Sequence, residues 1–330
     1  MVRSQWWCGI VCCLALAASA GCGRQSQLAY TSREQLKELP QKHQQEITDF
    51  LLKYYGTPLN PRHMVPATAS AASDEAKDAK DAGLTDKTER TRLRLGAAVY
   101  ARQCAGCHGT TGDGKGPAAA YLDPPPRDYR LGRFKFTSTP RGVKPRHEDL
   151  VRIIRRGAKG TSMPGFRWMP EEELEAVIDY VVMLSSRGEM ELGLIRDSIE
   201  ELEEDQSFTA ELVAGHSTRI ANSWNDATAQ MVIPITAQPA RNDESVRLGA
   251  KAFVELNCFK CHGKDGRGNK QFDVGKDDWG RTAYAADLTT GMLHGGRRPL
   301  DIYRRICSGI NATPMPSFKE PDSTKNETPE

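Results

Sequence analysis

Apolar positions along this chain recur at the spacing of helix faces. Ile47, Phe50, Leu51 and Tyr54 stand at i, i+3, i+4 and i+7, and Pro40 sits where a first-turn proline belongs, so segment 23–60 is predicted to hold one helix. Leu93, Gly96, Ala97 and Tyr100 form a second face running up to Cys104. Leu174, Val177, Ile178 and Val181 form a third, opened by Pro170 and the acids Glu171, Glu172 and Glu173, which suit a helix's first turn. Val246, Gly249, Ala250 and Phe253 repeat the second face ahead of Cys258. Between these patterns, residues 61–87 are rich in Ala, Ser, Asp and Lys without an apolar period and read as a linker. Residues 188–244 open on an acidic run and read as a helical connector. The expected fold is mostly α, with dense domains at 88–187 and 245–330.

The two dense regions repeat each other. RLGAAVYARQCAGCHGTTGDGKG, from Arg94, matches RLGAKAFVELNCFKCHGKDGRGN, from Arg247, with one extra residue before the first cysteine of the second copy. DLVRIIRRGAKGTSMPGF, from Asp149, matches DIYRRICSGINATPMPSF, from Asp301, without a gap. Asp149 pairs with Asp301, Gly157 with Gly309, Met163 with Met315 and Phe166 with Phe318. Duplication of one module explains all of these together.

One part is not repeated. After Phe318 the chain offers KEPDSTKNETPE, with two prolines and no apolar face, so the second module is expected to lack a C-terminal helix of its own. Three arrangements could follow for Gly249 and Phe253. The N-terminal helix could cover them, since Pro40 to Phe50 has the spacing of Pro170 to Tyr180. The connector near Leu194, Ile195 and Ile199 could do so instead, or the face could stay open.

Composition narrows the class. With 38% hydrophobic and 27% charged residues the chain is ordinary globular material rather than a multi-span membrane protein, and a net charge of +2 gives no reason to expect nucleic acid. Residues 1–22 carry Arg3, an apolar stretch through Ala18 and then small residues, the pattern of a secretory signal. Ser19, Ala20, Gly21 and Cys22 resemble the lipobox of bacterial lipoproteins, although Ser19 stands where leucine is usual. The expectation is an exported protein of the periplasm or cell envelope, lipidated at Cys22 and so held at a membrane. Of nine cysteines, Cys8, Cys12 and Cys13 fall in the signal, Cys22 is the candidate anchor, four form two tight pairs and Cys307 is left over. That leaves little material for a disulfide framework.

The tight pairs carry the chemistry. Cys104-Ala105-Gly106-Cys107-His108 and Cys258-Phe259-Lys260-Cys261-His262 are both CxxCH, the attachment sequence of c-type haem. Two intervening residues let both thiols reach the two vinyl groups of one porphyrin, and the adjacent histidine is carried beneath the iron. A zinc ribbon would place its pairs about fifteen to twenty residues apart, and a thioredoxin-like pair needs a βαβ context; neither is present here. The expected cofactors are therefore two covalently bound haem c groups.

With these residues in view, both modules resemble the class I cytochrome c family, over about half the chain. In that family a helix precedes CxxCH, a Gly-rich loop follows, a methionine supplies the sixth iron ligand and a C-terminal helix crosses the first. The resemblance makes Gly96 and Tyr180 the residues of the helix crossing, and His108 and His262 the proximal ligands. It makes Met163, in TSMPGF, and Met315, in TPMPSF, the distal ligands. Met292 and His294 are reserve candidates for the second iron, Met169 and His147 weaker ones for the first. His/Met ligation closes both axial positions, and the sulfur ligand raises the reduction potential.

The implied function is electron transfer with redox protein partners, among them membrane-associated respiratory or dehydrogenase complexes. Two rivals remain, a di-haem peroxidase and an immobile subunit of an oxidase or dehydrogenase. A peroxidase needs one iron with an open distal side, whereas both modules offer a methionine. Between Arg127 and Arg167 twelve Lys/Arg stand against three Asp/Glu, a candidate docking face for an acidic partner.

Overall fold

The computed structural model describes residues 29–63, 87–269 and 271–318. The signal-like segment with Cys22, most of the expected linker and the tail after Phe318 lie outside the described residues. The fold is mostly α, as the apolar spacing predicts, with a single two-stranded hairpin among the described residues.

Helix α1 spans Gln41–Tyr55 behind Pro40, and His43, Ile47, Leu51 and Tyr55 are its buried stripe. It ends at Gly56, where the hairpin of β1 (Gly56–Thr57) and β2 (Asn60–Pro61) turns the chain. Helix α2, Lys87–Gln103, buries Leu93, Gly96, Ala97, Val99 and Tyr100. It leads directly into the short helix α3, Ala105–His108. After a long loop come α4, His147–Arg156, and α5, Glu171–Glu200.

Helix α5 is the spine of the molecule. Helices α1, α2 and α4 all pack on it, and α2 makes the most extensive contact. The last helix of the first region and the start of the expected helical connector are one 30-residue helix. Its Ser185, Ser186 and Gly188 are all buried. Gly188 lies against Arg130, so its missing side chain permits this close approach. Met190, Leu194 and Ile195 consequently belong to the same core as Val177, Tyr180 and Leu93.

Helix α6, Ala210–Asp226, is capped by Thr209, whose hydroxyl accepts from the Leu212 amide at 3.2 Å. It folds back on α5, burying Ile220 and pairing His216 with Asp197 at 2.5 Å. Then follow α7, Asp243–Glu255, capped by Asn242; α8, Cys258–His262; and α9, Pro299–Ser308. The extra residue ahead of Cys258 is absorbed at Asn257, which adopts a left-handed conformation that asparagine tolerates well.

No described segment covers α7. It has no buried residue, Val246 and Val254 are 67% and 59% exposed, and a Cβ added to Gly249 would meet nothing within 4 Å. The N-terminal helix, one candidate cover, sits on α5 instead, with Ile47 and Leu51 inside the main core. The connector candidate is also spent, since Leu194 and Ile195 are buried in that core while Ile199 faces out. Of the three arrangements, the open face is the one observed among the described residues. No described helix is long and apolar enough to cross a membrane.

Candidate functional site

Each CxxCH motif forms one short helical turn at the end of a longer helix, α3 after α2 and α8 after α7. The turn stacks both cysteines and the histidine on adjacent positions. Cys104, Cys107, Cys258 and Cys261 are free thiols, each half-buried. Burial, reinforced by the neighbouring Cys107, pushes the Cys104 thiol up to about 11, and burial raises Cys258 as well. Raised in this way, the Cys104 and Cys258 thiols are held in the protonated form, the form that adds S–H across a double bond.

The histidines are oriented by backbone carbonyls. His108 Nδ1 lies 3.1 Å from the Arg127 carbonyl, and His262 Nδ1 lies 3.0 Å from the Ala286 carbonyl. A carbonyl can only accept, so Nδ1 carries the proton and Nε2 keeps its lone pair for a metal. Burial lowers the basicity of His108, which favours this neutral form. The Tyr129 ring stacks on His108 with centroids 4.7 Å apart, and Tyr100 donates to the Gly109 carbonyl at 2.9 Å, fixing the motif to α2.

The glycine-rich loops fold back over both motifs with corresponding bonds, one of them shifted by a residue between the copies. Gly114 N donates to His108 O and Gly116 N to Cys107 O; Gly268 N donates to His262 O and Asn269 N to Cys261 O. A further pair, Tyr129 N to Gly112 O and Leu288 N to Gly266 O, is 2.7 Å in each copy.

The methionine loops match in the same way. Met163 and Met315 are half-buried and follow α4 and α9. Thr161 Oγ1 accepts from the Met163 amide at 3.2 Å and donates to Ala158 O; Thr313 Oγ1 accepts from the Met315 amide at 3.3 Å and donates to Ile310 O. Phe166 N returns to Ile154 O at 2.9 Å and Phe318 N to Ile306 O at 3.0 Å. Asp149 and Asp301, both buried, bond back to the backbone amides of Arg146 and Arg298 that open α4 and α9. Of the reserve ligands, Met292 and His294 lie against Gly160, on the loop that carries Met163. His147 pairs with Glu175 at 2.7 Å, and the half-buried Met169 packs against the core.

About half of the basic stretch is tied up in ion pairs, while Arg156, Lys159 and Arg167 stay exposed. Arg130 pairs with Asp128, Arg133 with Asp278, Lys135 with Asp277, Lys144 with Glu189, Arg152 with Asp149 and Arg155 with Glu171. Arg127 lies over the Trp279 ring at 4.6 Å, and the Trp279 indole N–H reaches the Asp128 carbonyl at 3.3 Å. Residues 127–144 therefore form the seam on which the second region is built. Sequence reasoning missed Tyr129, Trp279 and the two orienting carbonyls, because backbone acceptors and long-range ring contacts leave no local pattern.

A helix crossing, two thiols on one turn and an imidazole whose Nδ1 is tied to a carbonyl fit covalently bound haem c, and together with the fold they support a c-type cytochrome. Residues 91–181 match the family model described as cytochrome C oxidase, cbb3-type, subunit III. A chain from the solved structure of a reducing HAO-like protein complex of Kuenenia stuttgartiensis is similar, at 28% identity and a TM-score of 0.50. The likeness covers 68% of this chain and 87% of that one. No curated protein sequence matches significantly.

Proposed function

We propose that this chain is an exported di-haem c-type cytochrome that passes electrons between protein partners. Cys104, Cys107 and His108 would hold one haem with Met163 as distal ligand; Cys258, Cys261 and His262 would hold the other with Met315. Bound haem c supplies an iron that cycles between the ferrous and ferric states by one electron. The protein's part is to aim each imidazole through the Arg127 and Ala286 carbonyls and to close the opposite side with a thioether. The observation that carries the reading is the recurrence of the same hydrogen bonds around both motifs and both methionine loops.

A second reading, a cytochrome subunit fixed in a larger redox assembly, draws support from two observations. The similar solved chain belongs to a protein complex, and the apolar face of α7 has no cover among the described residues. Attachment to a membrane through Cys22 is part of the proposal and is compatible with either reading.

Electron transfer and peroxidase chemistry separate in one experiment. The purified holoprotein is cycled with one-electron mediators and then challenged with peroxide. Both haems should reduce and reoxidise reversibly, with no peroxide consumption above that of free mediator. Sustained peroxide turnover would replace the carrier reading with the enzymatic one.

A further inference from the structure

The two methionine loops share their internal bonds but not their supports. In the first, the left-handed position is Gly160, with φ of +72°, a conformation glycine adopts freely. In the second, the same position is Ala312, with φ of +59°, which is unfavourable for a residue carrying a Cβ. In the first, Arg155 reaches out of α4 and donates to the carbonyls of Arg167 and Met169 at 2.9 and 3.1 Å, pinning the chain beyond Met163. At the matching place in α9 stands Cys307, which cannot do this. Helix α5 begins directly after the first loop, whereas no described helix follows the second.

What the second loop lacks is supplied from the first region. The Arg141 guanidinium donates to the Met315 carbonyl at 2.6 Å and to the Thr313 carbonyl at 2.8 Å, with the Ile310 carbonyl at 3.4 Å. Next to it, the Gly142 amide donates to Asn311 Oδ1 at 2.8 Å, and the buried Asn311 donates its own amide to the Phe134 carbonyl at 3.1 Å. A planar fork can bridge two carbonyls in one fixed geometry, which a lysine ammonium cannot. Arg141 and Asn311 thus hold both ends of a loop whose middle residue is strained.

We infer that Arg141 is a positioning residue that keeps Met315 on the second haem iron, so that ligation in the second module depends on a side chain of the first. This rests on the proposed Met315 ligation, and the test separates the two. Carbon monoxide binding to the reduced holoprotein counts irons whose sixth position is open, and redox titration follows both potentials. Wild-type protein should bind little, and Met315→Ala should bind one equivalent per chain. Arg141→Ala should behave like a weakened Met315→Ala: carbon monoxide enters at one haem, that haem's potential falls and the other stays put. Arg141→Lys should lie between Arg141→Ala and wild type. It also decides the matter if Arg141→Ala fails to mature with its haems.

If Met315→Ala opens the iron while Arg141→Ala, or Arg141→Lys in its place, leaves it closed with both potentials unchanged, the inference is overturned and Met315 ligation stands. If Met315→Ala itself leaves the iron closed, Met315 is not the ligand, and the role assigned to Arg141 falls with it.

Discussion

Gly96 of α2 lies directly against Ala176 of α5, so that a Cβ on Gly96 would sit 2.7 Å from the Ala176 carbonyl carbon and 2.9 Å from Tyr180 Cβ. Gly249 occupies the matching place in α7 and faces nothing within 4 Å. Gly96→Ala should therefore destabilise the protein by about 1–3 kcal/mol, because backbone must move to admit the methyl group. Gly249→Ala should stabilise by about 0.5–1 kcal/mol, since alanine is the better helix former where nothing touches it. Chemical denaturation of the two variants checks the pair.

The same asymmetry should appear in hydrogen exchange. Amides of α2, sandwiched on α5, should exchange only on global opening, whereas amides of α7 should exchange by local fraying. Equal protection in the isolated monomer would mean that α7 has a cover which the described residues do not supply.

Glu191 is fully buried and faces Arg33 and Arg187 at 3.8 and 3.7 Å, while the Arg33 amide donates to its other oxygen at 3.0 Å. Removing the carboxylate would leave two buried guanidinium groups facing each other. Glu191→Ala should cost about 3–5 kcal/mol, the usual penalty for breaking a buried ion pair from one side. It should also release the segment around Arg33 from α5, which limited proteolysis near residues 29–39 would detect.

If Cys22 carries a lipid, Cys22→Ser should move the mature protein from the membrane fraction to the soluble fraction. Wild-type protein found soluble throughout would remove the anchor from the proposal.

Much of this molecule was legible in the chain. The faces of α1, α2 and α5 could be read because one buried stripe at helical spacing is a local property. So could both CxxCH turns and both methionine loops, since each is built from neighbours in sequence. What could not be read depends on distant partners. The close approach of Arg130 to Gly188 in α5 is one such contact, which no window of sequence contains. The ion pairs and bonds made by Arg133, Lys135, Lys144 and Arg141 could not be read, because their partners, Asp278, Asp277, Glu189 and the loop carbonyls, lie elsewhere along the chain. The repeat itself disguised the difference between its copies: Ala312 for Gly160 and Cys307 for Arg155 become meaningful only once Arg141 is seen at the second loop.

Whether both CxxCH motifs hold a haem is decided by covalent haem counted by mass on the mature, denatured chain. The count should be two haems per chain, falling to one when Cys258 and Cys261 are replaced by serine and to one when Cys104 and Cys107 are replaced instead. A fully matured wild-type chain that carries a single haem would contradict it.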